Sequence, residues 1–325
     1  MEKLEEAEFC FPQLLNSSCK KLTRPYSEAL IIYVLMPSLS LITVNLNLLV
    51  IISISHFRQL HTPTNLLLLS LPVSDFLMGL VVMPFQILLT EPCWLLGDLM
   101  CVLYNLCLST VNCASVTNMV LISVDRYVAI CNPLRYSAIF TERAVQLCVL
   151  LSWLCCFFYS VLILYNSLNQ PGRFTSCYGE CVININGAVD IVISFILPIS
   201  AIIILYVRVF VVAVSQARSM RSHLAAVKLQ RSLTVTVQRS ELKAARTLGV
   251  VVAVFLLCYC PAYSVSLSVL SVGSSVNVLM YFLVLLNSCL NPLIYALFYP
   301  WFRKSAKLIV LLEILRPQSC QTNVM

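Results

Sequence analysis

Seven separate apolar runs, each about as long as a bilayer crossing requires, fall at roughly 29–55, 65–90, 100–130, 145–166, 186–215, 245–270 and 276–299. A helix needs ~20 mostly apolar residues to traverse the hydrocarbon core, so the chain has room for seven spans and short loops but little else. A 60% hydrophobic share against 11% charged lies outside the range of soluble domains. The expected fold is an all-α membrane protein: a seven-transmembrane helix bundle over 29–299, a polar tail over 1–28 and a short amphipathic eighth helix with a tail over 300–325.

Charge assigns the two sides. With the first tail outside, the outer segments hold Lys3, Lys20, Lys21, Arg24 and Arg173, and the other sixteen of 21 Lys and Arg fall inside, as the positive-inside rule requires. The acidic, polar stretch Met1 to Glu28 has no apolar core behind basic residues, so the first span is expected to direct insertion without a cleaved signal. The expected location is the plasma membrane, multi-pass, with the N-terminus extracellular. The inner loop from Ser215 to Leu242 is basic and lacks Pro and Gly; it either extends the flanking helices or lies as solvated charge near anionic lipid. Beyond Pro300, WFRKSAKLIVLLEI mixes apolar side chains with Arg303, Lys304 and Lys307, a pattern for a helix on the inner membrane surface, and Cys320 after it is a palmitoylation candidate.

Of 16 cysteines, eight lie in spans as small apolar residues, and Cys131 and Cys320 face the reducing side. Cys10, Cys19, Cys93, Cys101, Cys177 and Cys181 remain outside, and six cysteines allow fifteen pairings among which the sequence does not choose. Asn16-Ser17-Ser18 is an N-glycosylation acceptor.

An intramembrane carboxylate costs several kcal/mol unless it faces a polar interior, which singles out Asp75 and Asp190. Asp75, in the middle of the second span, together with Ser115, Asn287, Ser288 and Asn291, offers either an oxygen site for a hydrated sodium ion or a water-filled hydrogen-bond network. No other cofactor is expected. Asp190, one or two turns into the fifth span, has no Lys or Arg at its depth. A negative site open to the outside suits a protonated amine; the alternative is a solvated carboxylate at a helix N-terminus. Tyr259, Tyr263 and Phe282 could wall such a cavity and hold an ammonium by cation–π contact. Leu108, Ser109 and Asn112 of the third span complete the candidate ligand-binding set.

At the inner face, Asp125-Arg126-Tyr127 ends the third span and Glu241 opens the sixth. An Arg126 to Glu241 pair would hold the two helices together until a switch breaks it. Pro261 and Pro292 remove backbone hydrogen bonds and kink the sixth and seventh spans, and Tyr206 and Tyr295 join the switch set.

The series Asn47, Asp75, Asp125-Arg126-Tyr127, Trp153, Cys258-x-x-Pro261 and Asn291-Pro292-x-x-Tyr295 resembles rhodopsin-like receptors across all seven spans. More narrowly, NSCLNPLIYALFYPWFRK from Asn287 to Lys304, with Cys10, Asn16 and Cys19, resembles the trace amine-associated receptors. That resemblance implies an olfactory receptor for volatile or waterborne amines that raises cyclic AMP through a stimulatory heterotrimeric G protein. It further implies disulfides from Cys101 to Cys181 and from Cys177 to Cys19, and a Leu134 that inserts into the G protein.

The departures narrow the expectation. The family's usual amine-binding aspartate lies seventeen positions before Asp125, where this chain has Leu108. One branch of the family instead carries an acid eight residues before the proline of the fifth span, which here is Asp190 before Pro198. The amine is then expected head-first toward the fifth helix, and monoamines are favoured because Leu108 offers a diamine no second carboxylate. Tyr259 replaces the usual Trp, and Leu46, Pro72 and Leu285 replace the common Gly, Ala and Tyr.

The expected partners are therefore a small amine, a G protein and membrane lipid, with no nucleic acid. A transporter would show repeat symmetry or further intramembrane charge, and neither is found. A receptor of the same fold for a non-amine ligand is the nearer alternative. An enzyme fits least: His56, His61 and His223 all fall at the inner face, and no nucleophile is paired with a base.

Overall fold

The computed structural model describes residues 9–14, 18–21, 29–168, 181, 187–226, 232–267 and 274–324. Among them six helices are long and apolar enough to cross a membrane: Ile31–His56, Pro63–Leu89, Gly97–Cys131, Glu142–Tyr165, Val189–Ser215 and Val276–Phe298. The seventh crossing, sixth in order, is the apolar stretch Gly249–Val265 inside the helix Ser232–Leu267. Helix is the form that satisfies every backbone N–H and C=O without water, which is why apolar sequence in a bilayer takes it.

The second span packs on the first and third, the fourth on the third and second, the sixth on the fifth and seventh, and the seventh returns to the first. The third runs through the middle, touching the second, fourth, fifth and sixth. Its buried positions recur every three or four residues (Val111, Ala114, Ser115, Asn118, Met119, Ile122), one continuous face turned inward. Outward faces are apolar as well: Leu151, Phe158 and Leu162 of the fourth span and Val207, Phe210 and Val211 of the fifth are exposed, as a lipid-facing surface demands.

Helix ends and close approaches have local causes. Thr62 accepts the backbone N–H of Asn65 at 3.3 Å and Pro63 occupies the first turn, so the second span starts there. Gly97 opens the third span at φ 74°, a conformation glycine adopts without strain. Gly79 lets the first and second spans approach closely: a Cβ there would lie 3.0 Å from Thr43 Cγ2, and Ser40 Oγ donates to the Gly79 carbonyl at 2.7 Å.

Three spans contain a widened π turn, Ile31–Leu35, Met78–Val82 and Val192–Ile196, each ending two residues before a proline, Pro37, Pro84 and Pro198. The proline ring clashes with the carbonyl four residues back and donates no hydrogen bond; widening the preceding turn relieves both problems. Pro72, Pro261 and Pro292 lie within α-helix. Sequence pointed to hinges at Pro261 and Pro292 and gave no sign of the turn before Pro198.

The fifth helix continues to Ala226 and the sixth begins at Ser232, so most of the basic inner segment extends those helices. At 1.5 Å per residue the helix over 187–226 is about 60 Å long, well beyond a ~30 Å hydrocarbon core. Past the seventh span, Pro300–Val310 forms a helix that buries Phe302, Ser305 and Ile309 and exposes Arg303 and Lys304. Arg303 donates to the carbonyls of Ala296 and Leu297, satisfying acceptors at the end of the seventh span.

Candidate functional site

Disulfides gather at one end of the bundle. Cys101, at the start of the third span, is bonded to Cys181, and Cys10 to Cys93, which ties the first tail to the loop between the second and third spans. Cys10 N donates to Cys19 O at 2.9 Å, folding that tail back on itself. Cys19 is itself disulfide-bonded; Cys177, its expected partner, and the glycosylation candidate Asn16 lie outside the described residues.

Beneath this end lies a cavity of ≈ 190 Å³. Leu108, Ser109 and Asn112 of the third span form one wall, Tyr159 of the fourth another, and Asp190 and Ser194 of the fifth face them, with Tyr263 of the sixth closing the side. Asp190 is partly buried, and Tyr159 donates its hydroxyl to Asp190 Oδ1 at 2.9 Å. Among the described residues no Lys or Arg pairs with this carboxylate. Ser194 returns its hydroxyl to the Asp190 carbonyl at 2.6 Å across the π turn, so both residues meet the cavity.

The aromatic expectation is divided. Tyr263 lines the cavity and stacks on Phe195 with centroids 4.0 Å apart. Tyr259 lies one turn deeper, 1% exposed, stacked on Phe255, with its hydroxyl 3.5 Å from Asn112 Oδ1, and does not line the cavity. Phe282 packs with Leu285, Tyr104 and Leu108 in a separate cluster and is not part of the cavity wall. Sequence reasoning missed Tyr159, Ser194 and Asn105; Tyr159 follows Phe157 and Phe158 in an aromatic run of the fourth span and carried no signal of its own.

Midway down the bundle a second polar cluster is enclosed. Asn291 donates to Asp75 Oδ2 at 2.8 Å, and both residues are 1% exposed. Asp75 Oδ1, Ser115 Oγ, both polar atoms of the Asn287 side chain and Asn291 Oδ1 are buried without a hydrogen-bond partner among the described residues. Asn47 donates to the Ser288 carbonyl at 2.9 Å, joining the first and seventh spans beside them. Trp153 donates to Ser70 at 2.9 Å, and Ser70 to Asn118 at 2.8 Å, linking the fourth, second and third spans.

At the opposite end, Arg126 is 3% exposed and its guanidinium grips the neighbouring Asp125 through Nε at 2.8 Å and a terminal nitrogen at 2.5 Å. The same terminal nitrogen donates to Thr64 Oγ1 of the second span at 2.9 Å. Tyr136, on the short helix Pro133–Ile139, donates to Asp125 Oδ1 at 2.8 Å and lies 2.7 Å from Thr64. Burial, with the Asp125 charge beside it, pushes the Tyr136 phenol up to about 12, so it remains a donor across the physiological range. Thr64 and Tyr136 had no role in the sequence reading. Tyr127 packs against Ile130 and Val209. The side chain of Glu241, the expected partner of Arg126, lies outside the described residues. Tyr206 and Tyr295 bury their hydroxyls without a hydrogen-bond partner among the described residues.

Residues 46–295 match the model of the 7 transmembrane receptor (rhodopsin family). Over 99% of its length the chain is 38% identical to trace amine-associated receptor 13c of Danio rerio, covering 98% of that protein. It is 35% identical to trace amine-associated receptor 4 of Mus musculus over 98% of this chain and 96% of the relative, and 38% identical to receptor 9 of Rattus norvegicus over 98% and 97%. Match of this extent, on top of a seven-helix bundle with a carboxylate-bearing cavity, places the chain in the trace amine-associated receptors of the rhodopsin family.

Proposed function

We propose that this receptor is switched by small monoamines whose ammonium group pairs with Asp190, and that it signals through a stimulatory G protein to cyclic AMP in olfactory neurons. Family membership already makes it a multi-pass, G-protein-coupled receptor of the plasma membrane and not an enzyme. Its relatives are named for trace amines. The observation that carries the amine reading is Asp190: a carboxylate on a cavity wall, held by one phenol and paired with no described cation. Pairing with an ammonium supplies the missing countercharge in a place where water screens it poorly.

The two disulfides whose cysteines are both described lie at the cavity end, while Arg126 and the Arg- and Lys-bearing helix after Pro300 lie at the other. Disulfides persist in oxidising surroundings and positive residues stay inside, which supports an extracellular N-terminus. Leu134, beside Tyr136 on the inner short helix, is 95% exposed, an apolar side chain with nothing to cover it until a G protein docks.

Binding drives the switch only by the difference in ligand affinity between two states. The ammonium draws the fifth and sixth helices into a new packing around Asp190 and Tyr263. The inner ends follow, Arg126 leaves Asp125 and Thr64, and the contact between Arg126 and Glu241 is weakened. The hydroxyls of Tyr206 and Tyr295, without a partner among the described residues, favour such a rearrangement, because a buried unsatisfied hydroxyl costs about 1–3 kcal/mol and a repacked interior can satisfy it. Asp75, Ser115, Asn287 and Asn291 fit a sodium ion, a hard cation that takes oxygen ligands, because four of their oxygens are buried without a protein partner. Bound there, the ion would supply charge neutralisation for Asp75.

The deciding experiment is a panel of amines and neutral odorants on cells expressing the receptor, read by cyclic AMP, with Asp190→Asn as control. Amines alone are expected to activate, and the variant is expected at the cell surface with its amine potency strongly reduced. Activation by neutral odorants, or an unchanged response of the variant, would remove the amine reading.

A further inference from the structure

The cavity wall opposite Asp190 is neutral but polar. Asn105, Ser109 and Asn112 recur at helical spacing along one face of the third span, and all three line the cavity. Their hydrogen bonds leave capacity to spare. Asn112 accepts from Tyr259 on its carbonyl oxygen, and its amide N–H groups have no partner among the described residues. Ser109 lies 3.0 Å from Ser160, whose single proton also reaches the Cys156 carbonyl at 2.8 Å, so the Ser109 hydroxyl keeps either a lone pair or a proton for the cavity. Asn105 spends its amide nitrogen on the Cys101 carbonyl, and its carbonyl oxygen has no partner among the described residues.

A purely hydrocarbon amine would strip water from this wall without replacing its hydrogen bonds, a cost of about 1–3 kcal/mol per group. A second ammonium would fare worse, since the wall holds Leu108 and two neutral amides and no carboxylate. An oxygen on the ligand meets both requirements: as an acceptor it takes the Asn112 amide, and as a hydroxyl it also donates to Ser109 or Asn105. The cavity is small, ≈ 190 Å³, which favours a small ligand.

Building on the amine reading of Asp190, we infer that the preferred ligands are small amino alcohols and related oxygen-bearing monoamines, the ammonium on Asp190 and the oxygen on the Asn112 and Ser109 wall of the third span. The carboxylate sets the class of ligand and the amide wall selects within it. Sites built to hydrogen-bond a ligand hydroxyl discriminate strongly against the analogue without one, because the site's own polar groups are then left unpaired.

The test uses straight-chain primary amines, their terminal amino alcohols and their terminal diamines, from three to eight carbons, on the intact receptor with cyclic AMP as readout. At the best chain length the amino alcohol is expected to be at least about tenfold more potent than the amine, and the diamine weaker than both. Asn112→Leu is expected to collapse the ratio of alcohol to amine potency toward one. Because that change also removes the contact with Tyr259, Ser109→Ala and surface labelling accompany it, and Ser109→Ala should reduce the same ratio severalfold. Equal potencies of alcohol and amine at every length in the unmodified receptor, or a ratio that survives both substitutions, would overturn the inference while leaving Asp190 in place. If none of the three series activates the receptor, or if Asp190→Asn responds like the parent, the underlying amine reading falls as well.

Discussion

The two charged ends of this bundle are built in opposite ways. At the cavity end, Asp190 keeps a single described side-chain partner, the Tyr159 hydroxyl, and faces open space. At the inner end, Asp125 and Arg126 are almost fully buried and satisfy each other, with Thr64 and Tyr136 completing a ring of hydrogen bonds. A recognition site leaves its charge short of partners so that the ligand supplies them. A latch saturates its charges so that releasing it carries a barrier. Between them lies Asp75, half satisfied by Asn291 and surrounded by partnerless oxygens, a region whose polarity suits hydration or an ion.

The largest effect that tests this contrast comes from Asp190. Removing one charge of a desolvated pair costs about 2–5 kcal/mol, so Asp190→Asn should shift amine potency by roughly 30-fold to several thousand-fold in a cyclic AMP dose–response curve. The latch should respond in basal activity instead. Thr64→Val combined with Tyr136→Phe deletes hydrogen bonds to Arg126 and Asp125, each contributing about 0.5–1.5 kcal/mol, and is expected to raise ligand-free cyclic AMP about tenfold per receptor at the surface. An unchanged basal level would mean that the ring does not restrain the switch. Tyr159→Phe removes the orienting phenol while leaving the carboxylate, so potency should weaken only about fivefold with maximal response intact; a loss as large as that of Asp190→Asn would make Tyr159 a primary anchor. Smallest is the ion: replacing extracellular sodium by a larger organic cation should raise amine potency about threefold, and Asp75→Asn should abolish that dependence. Sodium sensitivity that persists in the variant would place the ion elsewhere.

Much of this was legible along the chain. Apolar runs located all seven crossings because a bilayer imposes a minimum length on each, and the two intramembrane carboxylates stood out because so few charges survive there. Partnerships across the bundle were not legible. Thr64 and Tyr136 are ordinary residues at a helix start and on a short helix between spans, and nothing in their neighbourhood announces that they meet Arg126. Phe282 was grouped with the cavity because it is an aromatic of the seventh span, yet its face turns toward Leu285 and Tyr104. The pairing of Cys10 with Cys93 was one of many that composition allows.

Asp190 shows where the division falls. Sequence by itself determined that a carboxylate sits within the fifth span, eight residues before a proline, with no basic residue at its depth, since these are properties of local order and hydropathy. What the carboxylate faces was decided by the tertiary structure: Pro198 widens the turn Val192–Ile196, and one extra residue in a helix turns everything before it by about 100° relative to everything after. That rotation, together with a tyrosine from the fourth span and an amide wall from the third, sets which groups share the cavity, because contact between helices depends on angle and depth that no linear spacing records.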